Sequence, residues 1–337
     1  MSETLRPMTL GEILDRTVQL YRRNFLSFAG ISAVPTAAML IVLLPAIGLL
    51  VIPGIASRQN APMTGALVAL LILVVIVAIV VAIAATVFSQ TALIRAAISA
   101  YTGHTMRIRE AFSAVRPLFW RYLWAIILQA TWVGIIPAAI AGIVIAILLA
   151  LAQAAGGGVG AGAAAGFLAF IIGAAAAVII ILRLLTFSLM MPACVAEGKP
   201  AWESLQRSKK LSHGTRGRIF LMFLLIWALS VVVSMIGYIP SIIIAVLAAT
   251  VSKGGAAMAA LLVVSQIINV LVNFAMQALI TPVYMTALVL FYYDQRIRTE
   301  GYDIEWMMQQ AGLEGSTPQI LPDTASGPAP DAGTLNG

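Results

Sequence analysis

The stretch GEILDRTVQLYRRNF, residues 11–25, decides how this chain is read. Its apolar positions, Ile13, Leu14, Val18, Leu20, Tyr21 and Phe25, recur at three- and four-residue spacing, while Glu12, Asp15, Arg16, Gln19, Arg22 and Arg23 fill the rest. That period predicts an amphipathic helix. Thr9 stands three residues before Glu12, the spacing at which a hydroxyl and a carboxylate satisfy the amides of a helix start reciprocally. A long apolar run, 26–56, follows at once. Together they describe a helix lying along a membrane interface before the chain turns into the bilayer.

The rest of the chain agrees. Hydrophobic residues make up 61% of the 337 and charged residues only 10%, too little charge to keep a soluble surface wet. Apolar segments occupy about 26–56, 66–100, 122–152, 161–192, 219–250 and 257–293. Each exceeds the roughly 20 residues that cross a bilayer core. The expected fold is therefore all-α and integral to the membrane, with six transmembrane helices. Several runs are longer than the core requires, so tilting or kinking is expected, at prolines such as Pro35, Pro45, Pro192 and Pro282.

Orientation follows from the cations. Of the 20 lysines and arginines, only Arg58 and Lys253 fall at one set of span ends, and only Arg183 lies deep within an apolar run. The others gather before the first span, between the second and third, between the fourth and fifth, and after the sixth. By the positive-inside rule both termini are cytoplasmic. The net charge of +7 then belongs to topology and to anionic lipid headgroups rather than to nucleic acid. The first two dozen residues, polar and amphipathic, do not read as a cleavable signal. The excess of arginine over lysine and the abundance of alanine point to a GC-rich bacterial genome, and so to the bacterial inner membrane.

The opening pattern returns twice. When REAFSAVRPLFWRYLW from Arg109 and WESLQRSKKLSHGTR from Trp202 are placed beneath it, Glu12, Glu110 and Glu203 align, as do Leu20, Leu118 and Leu211. Glu12 and Arg16 stand four apart, and so do Glu203 and Arg207, a favourable spacing for a helical ion pair. Each copy precedes an apolar helix with an early proline, at Pro35, Pro137 and Pro240. The chain thus reads as three units of interfacial helix plus two spans, at about 8–103, 104–198 and 199–308, within one polytopic domain, 1–311. The remainder, 312–337, is rich in Pro, Gly, Ser and Thr and is expected to be a disordered cytoplasmic tail.

Polar side chains inside spans are the candidates for function. Gln266, Asn269, Asn273 and Gln277 fall on one stripe of the sixth span. They either line a polar cavity or hydrogen-bond neighbouring helices, each bond contributing about 0.6–2 kcal/mol. Arg183 has no Asp or Glu within any span to neutralise it. It must snorkel toward the cytoplasm, the favoured reading, or donate to backbone carbonyls or to the amide stripe. Arg95, nearer its helix end, is expected to snorkel. Candidate headgroup contacts are Arg16, Arg22, Arg23, Arg121, Arg207, Lys209 and Lys210. The aromatic clusters FWRYLW (119–124) and FYYD (291–294) are expected where helices meet the interface.

Catalytic signatures are missing from the sequence. There is no GxxxxGK[ST], HExxH or GxSxG, and the single cysteine, Cys194, with two separated histidines offers no metal-ligand spacing. No cofactor is expected.

Three segments, RPMTLGEILDRTVQLYRRNF, EGKPAWESLQRSKKLSHGTRGRIF and FYYDQRIRTEGYDIEWM, together resemble the glycerophosphoryl diester phosphodiesterase membrane-domain family of bacterial proteins. The resemblance spans roughly residues 5–308. In some members of that family the membrane region precedes a soluble phosphodiesterase barrel with an HRG-type motif. Neither His104 nor His213 is followed by Arg-Gly, so the resemblance implies a stand-alone membrane domain and carries over no catalytic residue. The function expected is a non-enzymatic scaffold binding membrane lipids, partner proteins or further copies of itself. The alternative is a permease or lipid-handling protein with a polar pathway along the sixth span.

Overall fold

The computed structural model describes residues 7–56, 65–104, 106–251 and 256–301. The tail expected to be disordered lies outside the described residues, as do Arg58 and Lys253. Among the described residues all regular structure is helical: α1 (Leu10–Arg23), α2 (Phe25–Ala56), α3 (Gly65–Tyr101), α4 (Ile108–Val115), α5 (Phe119–Ala130), α6 (Ile136–Ala154), α7 (Val159–Phe187), α8 (Met190–Glu197), α9 (Ala201–Leu211), α10 (Arg216–Val251) and α11 (Ala256–Glu300). A 3₁₀ turn, Arg116–Leu118, joins α4 to α5, and a π-helical turn, Thr131–Ile135, joins α5 to α6. Six helical stretches are long and apolar enough to cross a membrane. The chain is a multi-pass, all-α membrane protein.

The three short helices α1, α4 and α9 each precede a pair of long helices, and the pairs α2–α3, α6–α7 and α10–α11 pack within themselves. Why each short helix begins where it does is local chemistry. On α1 the Thr9 amide donates to Glu12 at 2.7 Å, and the Glu12 amide donates to the Thr9 hydroxyl at 3.3 Å, closing a capping box. On α4 the Arg107 amide donates to Glu110 at 3.0 Å. Glu203 holds the same third position of α9, but the residue before that helix is Pro200, which has no amide to offer. The recurring glutamate thus stands at a helix start in all three copies and accepts from the capping amide in two of them.

The core lies at the basic end of the bundle. Ile13, Leu20, Ile94, Ala111, Tyr122, Met190, Cys194, Leu211, Ile219 and the run Ala287–Tyr293 are all buried there. The amphipathic helices bury their apolar stripes against the span ends, and α11 occupies the centre, packed by α1, α2, α3, α8, α9 and α10. In the sixth span 44% of the apolar stretch is buried in protein, against 6% in the third and fourth. The opposite half of the bundle leaves Ile72, Ile143, Phe170, Ile236 and Ile267 exposed, a surface that lipid covers.

Prolines interrupt the spans, and at Pro35, Pro137 and Pro282 donors from other helices repair the interruption. A proline removes the amide that would serve the carbonyl four residues earlier. Pro35 frees the Ile31 carbonyl, and the buried Ser89 hydroxyl on α3 donates to it at 2.8 Å. Pro282 frees the Ala278 carbonyl, and the Tyr21 hydroxyl donates to it at 3.2 Å. At Pro137 the helix has slipped into π register, where the Ile136 amide donates to the Thr131 carbonyl. The next acceptor in that register is Trp132, which Pro137 cannot serve.

Candidate functional site

Arg183 supplies that missing donor. Its Nη1 donates to the Trp132 carbonyl at 2.8 Å, and the guanidinium carbon lies 5.9 Å from the centre of the Trp132 ring. Of the fates open to Arg183 in the sequence, the structure selects donation to a backbone carbonyl. The favoured reading, snorkelling, is replaced because the π turn exposes an acceptor within reach. Trp132 in turn lies 6.0 Å from Trp202 on α9, tying the third and fourth spans to a short amphipathic helix.

The amide stripe does not join Arg183. Gln266 and Asn273 are exposed, and Asn269 and Gln277 are half-buried. Asn273 donates to the Asn269 carbonyl on its own helix at 2.8 Å and accepts from the Tyr238 hydroxyl of α10 at 3.4 Å. A cleft of about 340 Å³ between α7, α10 and α11 is lined by Leu184, Phe223, Trp227, Ser230, Thr281 and Tyr284 among others. None of the four amides and not Arg183 is among its lining residues.

The end of α7 shows residues that spacing did not single out. Ser208 on α9 and Ser212, which caps that helix one turn later, both donate to the Thr186 carbonyl at 2.9 Å, and Gln129 of α5 donates to the Phe187 carbonyl at 3.0 Å. These bonds satisfy the last carbonyls of α7, where the chain breaks before the buried helix α8. The serines repeat every four residues along α9 and its cap, at 204, 208 and 212, and all three are fully buried; that period is the signal in the sequence.

Two of the expected headgroup contacts, Arg121 and Arg207, are engaged within the protein. Arg121 donates to the Gly198 carbonyl at 2.8 Å and the Cys194 carbonyl at 3.1 Å, capping α8 where Gly198 takes the left-handed conformation, φ 66°. Arg207 pairs with Glu197 at 2.8 Å and with Glu300 at 2.6 Å, linking α8, α9 and α11. The expected Glu203–Arg207 pair is therefore not formed: Glu203 is exposed, and two better-buried carboxylates hold the guanidinium. Burial alone would lower the Arg207 pKa, but its bonds to Glu197 and Glu300 outweigh this and hold it above the ordinary value. Lys199 also reaches Glu197, at 2.8 Å, and the Tyr292 hydroxyl donates to it at 2.6 Å.

The FYYD cluster is likewise not at an interface. Phe291, Tyr292, Tyr293 and Asp294 are all buried, because the basic end of α11 is enclosed by other helices. Asp294 accepts from the Met8 amide at 2.8 Å and pairs with Arg218 at 3.2 Å and Arg298 at 3.0 Å. Both arginines also donate to the Met8 carbonyl, so one carboxylate fastens the segment before α1 to α10 and α11. In FWRYLW the outcome is split: Trp120 and Trp124 are exposed, and Tyr122 is buried.

Four candidate headgroup contacts remain open. Arg22, Arg23, Lys209 and Lys210 are exposed, and none of their side chains forms a hydrogen bond or ion pair with a described residue. Arg16 stands half-buried one turn after Glu12. Among the described residues no three His, Cys, Asp or Glu side chains gather as metal ligands. No protein-family model, curated protein or solved structure matches the chain.

Proposed function

We propose that the protein is a non-enzymatic scaffold of the bacterial inner membrane, with both termini in the cytoplasm and its basic end resting on anionic lipid headgroups. The observation that carries this reading is the set of exposed cations at the ends of two amphipathic helices whose side chains pair with no described residue: Arg22 and Arg23 on α1, Lys209 and Lys210 on α9. Each cation near an anionic surface contributes about 1 kcal/mol. Trp120 and Trp124, exposed one helical turn apart, supply the amphipathic rings that anchor a helix at headgroup level. The resemblance of three segments to the membrane domain of the glycerophosphoryl diester phosphodiesterase family fits the same assignment. The α6–α7 pair, barely buried within the chain, leaves room for a partner protein or a second copy.

The test is lipid enrichment. The full chain, in nanodiscs of mixed anionic and zwitterionic phospholipid, should gather the anionic species around itself in a salt-sensitive way. Replacing Arg22, Arg23, Lys209 and Lys210 together by Gln should abolish the enrichment. A surrounding lipid composition equal to the bulk, for the unaltered protein, would refute the proposal.

A further inference from the structure

The cleft between α7, α10 and α11 is used by none of the caps, ion pairs and repairs above. Its volume, about 340 Å³, is at the small end of the range that ligand pockets occupy. Three of its lining residues are aromatic: Phe223 and Trp227 on α10 and Tyr284 on α11. The Phe223 and Tyr284 rings lie 5.7 Å apart. Trp227 and Leu184 are exposed while Ile226 is buried, so the cleft opens on the outer surface of the bundle, toward lipid.

Two hydroxyls in the cleft pair with no described residue. Threonines in these helices commonly donate to their own backbone: Thr17, Thr91, Thr131, Thr186 and Thr299 each reach the carbonyl four residues back. Thr281 does not, and neither its hydroxyl nor that of Tyr284 forms a hydrogen bond with a described residue. Neither oxygen is sealed inside the protein. The two residues stand three apart on α11, so they share one face, with Cβ atoms about 5–6 Å apart. A hydroxyl surrounded by hydrocarbon and lacking an acceptor is costly. Both are placed to donate to one ligand.

The lining selects the ligand's chemistry. Its residues carry no charge, so a carboxylate or phosphate would enter without a counter-charge. Counted along the helices from the Arg218–Asp294 ion pair, the lining positions of α10 and α11 lie roughly 8–21 Å further into the bundle. That is the depth of hydrocarbon, below headgroups and glycerol esters. An uncharged ligand whose hydrogen-bond acceptor belongs to an apolar body meets these conditions. The aromatic walls suit a flat ring. The small volume takes a ring, and the open side lets an attached chain run into lipid.

We propose that the cleft binds the ring of a membrane quinone, with Tyr284 and Thr281 donating to a ring carbonyl and Phe223 and Trp227 against the ring. The site goes beyond the headgroup scaffold of the proposed function and uses none of its cations.

The full chain, in nanodiscs of zwitterionic phospholipid, is titrated with a benzoquinone carrying a decyl chain, whose ring quenches tryptophan fluorescence on contact. Quenching should saturate at one quinone per chain, and Trp227→Phe should remove the saturating component. Tyr284→Phe and Thr281→Val, each deleting one hydroxyl at nearly constant shape, should weaken binding about three- to tenfold. The variant with Arg22, Arg23, Lys209 and Lys210 replaced by Gln should bind the quinone as the unaltered protein does, which separates this site from the headgroup surface. The proposal is overturned if quenching rises with quinone without saturating. It is equally overturned if a diacylglycerol displaces the quinone with equal strength, the behaviour of a seat for any acyl chain, or if both hydroxyl variants, shown to be folded by thermal unfolding, bind unchanged.

Discussion

The Arg183 guanidinium donates at 2.8 Å to the Trp132 carbonyl, an oxygen that Pro137 leaves without a backbone donor. A charge inside an apolar run thus has a structural reason: it completes a helix that proline interrupts. Arg183→Leu should destabilise the protein by about 1–3 kcal/mol, the cost of an unsatisfied buried carbonyl. In a Pro137→Ala background the restored amide can serve the helix, so the same substitution should cost less. Thermal unfolding of the four proteins in detergent gives the comparison; equal costs in both backgrounds would contradict the repair.

Ser89 and the Ile31 carbonyl repeat the relationship at Pro35. Ser89→Ala should cost about 1–2 kcal/mol, and Pro35→Ala should recover part of it. Tyr21→Phe should behave in the same way toward Pro282, read by the same unfolding measurement.

Arg207 bridges Glu197 and Glu300 while Glu203 stands exposed. Glu203→Gln should therefore change stability by less than about 0.5 kcal/mol. Arg207→Lys, which keeps the charge but cannot fork between two carboxylates, should cost about 1–2 kcal/mol, and Arg207→Ala more. A Glu203→Gln variant as unstable as Arg207→Lys would restore the helical pair that spacing alone suggested.

Asp294, fully buried, gathers Arg218, Arg298 and the Met8 amide. Asp294→Asn removes the counter-charge of both arginines and should cost about 3 kcal/mol or more. The loss should fall on the segment before α1. Hydrogen exchange at the Met8 amide should accelerate while that of α11 at Leu288 stays slow.

The six spans and the start of α1 were legible because each depends on neighbours in sequence: apolar runs of sufficient length, and Thr9 three residues from Glu12. What the sequence hid depends on distant partners. Arg183 finds its acceptor 51 residues away and Arg207 one of its carboxylates 93 residues away, and no local spacing encodes either. The break at Ser188–Leu189 lies inside a continuous apolar run and is stabilised by Ser208, Ser212 and Gln129 from other helices. The FYYD cluster has the composition of an interface but is enclosed by α1, α3 and α8, because burial is decided by where a helix stands in the bundle.

The central claim, that the basic end is the cytoplasmic end, is open to one direct measurement. Single cysteines placed at the exposed Glu110 and Glu203, and at the exposed Ala155 between α6 and α7, with the buried Cys194 replaced by Ser, are offered an impermeant maleimide on intact cells. Labelling at position 155, with positions 110 and 203 reacting only after lysis, is the predicted result. Labelling of 110 or 203 on intact cells, with 155 protected, would place the cations outside and contradict the account.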